Sequence, residues 1–308
     1  MTRGDVLLTV LAPRITADAQ RQVAELVEQF GLQAGAPKQL ADASLPGEAH
    51  DCVEQHLSGD RIDTEALRKA ALSLGESLGV DIVIQEDHRD LAKPRLVCFD
   101  MDSTLIKAEV IDELARRHGV GDEVAAVTER AMRGELDFQA SFRERMSKLE
   151  GLDESVLAGI AAELPLMEGV ERLMKNLKHF GYRTAILSGG FTYFARHLQE
   201  RLGFDEIHAN ELLIVNGKVT GEVQEPIVDA ERKALLLEQI AQREGFSLAQ
   251  TIAVGDGAND LKMLAKAGMG IAFRAKPVVR AQARQAISTL GIDGVLYLMG
   301  YRASDLIS

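Results

Sequence analysis

The chain has 308 residues, 46% of them hydrophobic and 27% charged, which supports a sizeable buried core and excludes general disorder or a collagen-like composition. Its net charge of −12, from 35 basic and 47 acidic side chains, argues against a general nucleic-acid binder, because phosphate backbones demand an excess of Lys and Arg. The absence of Trp and an aromatic content of 5% also leave few platforms on which bases could stack. The charge is uneven: residues 1–90 hold 16 acidic and 8 basic side chains, whereas residues 91–308 hold 31 and 27. The longer part is therefore nearly balanced and can host a site for a small anion.

Two cysteines, Cys52 and Cys98, lie far apart and form no metal-like pair, so neither a disulfide framework nor a zinc site is expected, and a cytoplasmic location is. The apolar stretch within Met1 to Pro13 is interrupted by Asp5 and lacks a cleavage pattern. No run approaches the ~18 residues that span a bilayer. The expectation is a soluble protein acting on a dissolved compound, with no membrane partner.

In chain order, residues 5–12 read as a buried strand and 17–30 as an amphipathic helix with Val23, Leu26 and Phe30 on one face. Two weak strands follow in a polar stretch. Residues 63–78 read as a helix capped by Thr64, with Leu67, Ala71, Leu74 and Leu78 at helical spacing, and 80–85 as a strand. This order is the split βαβ arrangement of a small α+β ferredoxin-like domain. It resembles an ACT domain, although the loop after the first strand, Ala12-Pro-Arg-Ile-Thr-Ala17, lacks the glycine often used there for a ligand. Two readings stay open for residues 1–90: a module that binds an amino-acid effector, or a packing and dimerisation domain. A homodimer is expected from the pairing edges of such a sheet.

A polar junction, 88–94, leads into a different pattern. Short apolar runs at 96–99, 184–187, 251–254 and 270–273 alternate with helices, the signature of an α/β fold with a doubly wound, Rossmann-like parallel sheet across residues 91–308. A helical insert occupies about 109–165, and Asn216-Gly217 between apolar flanks predicts a hairpin.

Three of the apolar runs end in polar residues, and the carboxyl ends of neighbouring parallel strands share one crevice. The first runs into Asp100-Met-Asp-Ser-Thr104, the second into Ser188-Gly-Gly190, and the third into Gly255-Asp-Gly-Ala-Asn-Asp260. Asp100 and Asp102 share a face if the chain stays extended. With Asp256 beside them, three carboxylates repel unless a hard cation neutralises them, and Mg²⁺ takes oxygen ligands together with a substrate phosphate. The Ser188-Gly189-Gly190 turn offers a hydroxyl and open backbone N–H groups to phosphate oxygens. Lys233, at the start of a helix, adds a compact positive charge.

These segments, in this order and spacing, match the four motifs of the haloacid dehalogenase-like superfamily. Asp100-Met-Asp-Ser-Thr-Leu-Ile106, Glu109-Val-Ile-Asp-Glu113, Leu187-Ser-Gly-Gly-Phe191 and Val254-Gly-Asp-Gly-Ala-Asn-Asp260 closely resemble the phosphoserine phosphatase family over roughly residues 94–300. The resemblance implies hydrolysis of O-phospho-L-serine, the last step of serine biosynthesis. It implies Asp100 as nucleophile, forming an aspartyl-phosphate, and Asp102 as general acid and then base. The implied Mg²⁺ ligands are the Asp100 side chain, the Asp102 carbonyl and Asp256. Ser188, the Gly189 N–H, Lys233 and Asn259 would serve the phosphate, with Asp260 supporting Lys233 or the metal. The helical insert would be a cap, with Glu109 reading the substrate ammonium, Arg145 its carboxylate, and Met132 and Phe138 walling the pocket. Two other functions remain open from sequence: phosphoryl transfer to an alcohol such as homoserine, and a non-catalytic amino-acid-binding regulator.

Overall fold

The computed structural model describes residues 6–89 and 93–308. Asp5 of the first expected strand and Asp90 to Ala92 of the junction lie outside the described residues.

The first unit runs β1 (Val6–Ala12), α1 (Ala17–Gln29), β2 (Gln33–Ala34), β3 (Lys38–Ala41), β4 (Asp51–Ser58), α2 (Thr64–Leu78) and β5 (Asp81–Glu86). Its antiparallel sheet has the order β2-β4-β1-β5, with β3 also pairing β4. This is the strand arrangement expected of the split βαβ unit. The side-chain period of two decides what each face meets. Val6, Leu8, Val10, Ile82 and Ile84 pack with Val23 and Leu26 of α1 and Leu67 and Ala71 of α2. Leu11, Cys52 and Val83, which point the other way, join the core of the rest of the chain. Two boundaries differ from the sequence reading. The cap of α2 is Asp63, whose carboxylate accepts the Ala66 N–H, rather than Thr64. Strand β5 starts one residue late, because the Val80 N–H closes the helix end onto the Gly75 carbonyl beyond left-handed Gly79.

The second unit opens with β6 (Leu96–Phe99), followed by the helical insert α3 (Val110–His118), α4 (Gly121–Met132), α5 (Phe138–Ser147) and α6 (Ser155–Glu163). Then come α7 (Val170–His179), β7 (Arg183–Phe191), α8 (Thr192–Leu202), β8 (Glu206–Asn210), and the hairpin β9 (Ile214–Val215) and β10 (Lys218–Val219). Asn216 and Gly217 both take positive φ, as the tight hairpin turn requires. The chain ends with α9 (Ala230–Arg243), β11 (Thr251–Gly255), α10 (Leu261–Lys266), β12 (Met269–Phe273), α11 (Pro277–Gln282), β13 (Gln285–Ile287) and α12 (Val295–Leu298).

Six of these strands form a sheet in the order β13-β12-β11-β6-β7-β8, parallel at every pairing. The path runs outward in both directions from β6, so the switch point where ligands bind in such sheets lies at its carboxyl end. Residues 96–99 are wholly buried, as both faces of a parallel sheet are covered by helices. Strand β7 corrects the expected turn at Ser188-Gly-Gly190: it continues extended to Phe191, with a register break against β8 between Leu187 and Phe191. The insert is rooted where its two connections cross, Lys107 N–H donating to the Pro165 carbonyl (2.8 Å) and Met167 N–H to the Leu105 carbonyl (2.9 Å). No helix among the described residues is long and apolar enough to cross a membrane.

Candidate active site

Asp100 is the first residue beyond β6. Its own N–H still donates to the Val254 carbonyl of β11 (2.9 Å), which fixes it between the two strands. Its carboxylate Oδ1 accepts from the Met101 N–H (2.8 Å) and from Lys233 Nζ (3.0 Å). Lys233 lies in the first turn of α9, capped by Asp229, and its second partner is Asp260 Oδ1 (2.8 Å). The other Asp260 oxygen accepts the Asp256 and Gly257 N–H groups. Asp260 thus locks the loop after β11 around the lysine. Thr104 Oγ1 donates to Asp256 Oδ1 (2.9 Å) and ties the loop after β6 to the loop after β11.

Carboxylate oxygens of Asp100, Asp256 and Asp260 lie within 4.8 Å of one another, with Lys233 as the cation bonded among them. The electrostatic result is consistent: burial raises the Asp100 carboxyl well above its usual range, with Asp260 adding to it and Lys233 opposing. Asp256 is pushed up to about 7 by burial and then by Asp260. One lysine does not balance this set, and an all-oxygen donor group with surplus negative charge fits a hard divalent cation.

Asp102 accepts the Val110 N–H at the start of α3 (3.2 Å). Burial first, and the Glu109 charge second, raise its carboxyl well above the usual range, the protonation bias that a general acid needs. Gly190 on β7 faces it: a Cβ there would sit 3.0 Å from Asp102 Oδ2 and 2.8 Å from Met101 Cε. A methyl group there requires Met101 or Asp102 to shift.

Asp100, Asp102 and Asp256 line a cavity of about 850 Å³ together with residues of the insert and, beyond β12, Arg274, Lys276, Val278 and Val279. Of the sequence-derived candidates, Asp100, Asp102, Glu109, Met132, Phe138, Arg145, Gly189, Asp256 and Asn259 line it. Ser188 and Lys233 have no exposed surface and lie behind the lining. Ser188 Oγ accepts the Gly190 N–H (2.9 Å). Phe138 stacks on Phe142, whereas Met132 is 70% exposed and forms rim rather than wall. Ser103 Oγ donates to Glu109 Oε1 (2.7 Å). The Glu109 carboxyl is raised, chiefly by burial, and Arg145 opposes that shift. Arg145 stands among the carboxylates of Asp112, Glu109 and Asp102, which counter the effect of its own burial.

Four contributors were not singled out from sequence. Thr104 sits inside the first motif, so its position was visible but its bond to Asp256 was not. Asn210, on β8, donates to the Gly189 carbonyl (3.0 Å) and accepts the Val228 N–H (2.9 Å), holding the irregular end of β7. Arg274 and Lys276, beyond β12, line the cavity opposite the insert; no local signal marks them.

Fold and site together define a capped, parallel α/β hydrolase. The profile of haloacid dehalogenase-like hydrolases matches residues 94–268, and the chain belongs to that family. It is 44% identical over 297 residues to a phosphoserine phosphatase of Streptomyces coelicolor, covering 96% of this chain and 71% of the relative. Among solved structures, a haloacid dehalogenase family hydrolase from Salmonella enterica serovar Typhi superposes with a TM-score of 0.82 at 31% identity, covering 96% of this chain and 98% of that one. A substrate-bound phosphoserine phosphatase complex superposes with a TM-score of 0.63 at 41% identity, covering 67% of this chain and 98% of that one.

Proposed function

We infer that the chain is a phosphoserine phosphatase, hydrolysing O-phospho-L-serine to serine and phosphate. The observation that carries this reading is that one cavity holds the Asp100 carboxylate on its floor and the opposite charges of Glu109 and Arg145 in its cap. A phosphate at the floor then leaves an ammonium for Glu109 and a carboxylate for the Arg145 fork.

In the first step Asp100 attacks phosphorus, the bond to the seryl oxygen breaks, and Asp102 gives that oxygen its proton. In the second, Asp102 takes a proton from water, which attacks the aspartyl-phosphate and releases phosphate, restoring Asp100. Lys233 uses two of its three N–H donors on Asp100 and Asp260, which leaves the third for a phosphoryl oxygen. Ser188 Oγ accepts from Gly190 and keeps its hydrogen to donate. The Gly189 N–H and Asn259 complete the phosphate contacts. Mg²⁺ fits the donor set, with the side chains of Asp100 and Asp256 and the carbonyl of Asp102 to hold it, and it supplies positive charge against the phosphoryl oxygens. Nothing among the described residues favours an alcohol acceptor over water, and every residue the two steps need is present.

We further propose a cytoplasmic homodimer, with 91–308 as the phosphatase domain and residues 1–90 as an accessory domain that either takes an amino-acid effector or serves packing and dimerisation. The ferredoxin-like strand order and the free sheet edge at β2 support the accessory role. The test is phosphate release from a panel of phosphomonoesters with Mg²⁺. Phosphoserine should be preferred, and Asp100→Asn should reduce turnover by more than about a thousandfold with the fold retained. A preference for sugar phosphates, or substantial turnover by Asp100→Asn, defeats the reading.

A further inference from the structure

Among the described residues, Arg274 is one of three non-glycine residues with positive φ, at +44°, a conformation that persists where the surroundings over-determine it. Its own N–H donates to the Ile287 carbonyl (2.7 Å), and its side chain is anchored as well. Nη1 donates to Glu168 Oε2 (2.7 Å), while Nε and Nη2 both donate to the Leu290 carbonyl (3.3 and 3.1 Å). Glu168 follows directly on Met167, which pairs with Leu105 at the root of the cap. The other oxygen of Glu168 accepts from Lys107 on the opposite connection of that root (2.5 Å). One guanidinium thus joins both connections of the cap to the 288–290 segment. That segment is held in turn by the first unit: the Asp81 carboxylate accepts the Ser288 N–H, the Thr289 N–H and the Thr289 hydroxyl.

We propose that Arg274 is a positioning residue that clamps the root of the cap, and that the N-terminal sheet holds the clamp in place through Asp81. Half-exposed ion pairs alone contribute little. What sets this one apart is the planar fork shared between a carboxylate and a backbone carbonyl, on a backbone held in a strained conformation for it. Glu168 stays ionised far into acid, because Lys107 first, and Arg274 after its own backbone N–H, draw its carboxyl down to about 2. The clamp sets how Glu109 and Arg145 stand over Asp100, so it governs recognition of the amino-acid part of the substrate and not phosphoryl chemistry. The kinetic consequence rests on the phosphoserine reading; the structural one does not.

The test is amide hydrogen exchange at Lys107 and Met167, the two donors of the root, in the full chain. Arg274→Asn keeps a residue that tolerates positive φ and removes the fork. Exchange at both amides should become about tenfold faster, while amides of β11 keep their protection. Asp81→Ala, which removes the acceptor of all three groups, should speed the same two amides by a smaller factor. Unchanged root amides in Arg274→Asn, or equal acceleration in β11, overturns the clamp. Unchanged root amides in Asp81→Ala overturns the role of the N-terminal sheet. Should Arg274→Asn fail to fold, Glu168→Gln makes the same prediction. In kinetics, KM for phosphoserine should rise about three- to tenfold in Glu168→Gln, whose side chain is outside the cavity lining, with little change in kcat. Hydrolysis of p-nitrophenyl phosphate by Glu168→Gln, a substrate that offers nothing to Glu109 or Arg145, should be unaffected, and equal loss on both substrates contradicts the proposal. If the wild type shows no preference for phosphoserine, the functional reading fails while the exchange result still stands.

Discussion

Asp256 is a single residue whose protonation ties stability to the proposed cation. Its carboxyl is raised to about 7, first by burial and then by the charge of Asp260, so between the ordinary carboxylate range and about pH 7 the folded state binds a proton that the unfolded chain does not. Stability then falls as pH rises through that window, since the slope follows the difference in bound protons. Asp100 and Asp102, shifted in the same direction, add to the effect. A divalent cation competes with those protons and supplies the missing charge. The metal-free protein should therefore have a lower Tm at about pH 8 than at about pH 5, and Mg²⁺ should raise Tm more at the higher pH. A Mg²⁺ shift that is equal at both, or larger in acid, rejects this account.

The irregular end of β7 is where one strand shapes the site for its neighbours. Asn210 braces the Gly189 carbonyl, and Gly190 stands so close to Met101 and Asp102 that a methyl group displaces one or the other. Gly190→Ala should lower kcat by about ten- to a hundredfold, because a shift of this size at a catalytic group has that effect, and should leave Tm nearly unchanged. A large loss of Tm with normal kcat points to packing instead. Elements of this kind also mark the limit of what the sequence discloses. The strands β6, β7, β11 and β12 were legible because each is a short apolar run, and β6 to the residue. The insert was legible as helix without strand signal, and the carboxylates were legible because they sit at strand ends. The extension of β7 was not, since Ser-Gly-Gly reads as a turn until Asn210 and Val228 are known to lie beside it. β8 and β13 are short edge strands of mixed polarity, without periodicity to mark them. Arg274 and Glu168 were invisible for a different reason: they are far apart in sequence, and each alone reads as a solvated charge.

Across the whole molecule, the division near residue 90 suggested by charge is not matched by a division of the core. Leu11, Leu40, Ala41, Cys52 and Val83 of the first unit belong to the same buried cluster as Leu296, Tyr297 and Leu298. Other contacts also cross this seam: Gln85 donates to the Leu298 carbonyl (3.2 Å), and the His50 ring meets Tyr297 edge-on. The face of β1, β4 and β5 turned from α1 and α2 is mixed: Leu7, Leu11, Cys52 and Val83 are buried there, and so are the polar Thr9, Glu54, Asp81 and Gln85. A buried Leu or Val side chain contributes about 1.5–3 kcal/mol, so losing Leu11, Leu40 and Val83 removes a large share of the net stability of a domain, about 5–15 kcal/mol. The substrate-bound phosphoserine phosphatase is matched over 98% of its own length by 67% of this chain, which leaves that relative no room for such a unit. In this chain, however, residues 93–308 expressed alone should aggregate or bind a hydrophobic dye, and should lose Tm relative to the full chain, even though every proposed catalytic residue is retained. Any effector titration then has to use the full chain, because removing the first unit uncovers core rather than a neutral surface. A soluble, dye-silent 93–308 fragment with the Tm of the full chain would show that the seam is a contact between independent domains.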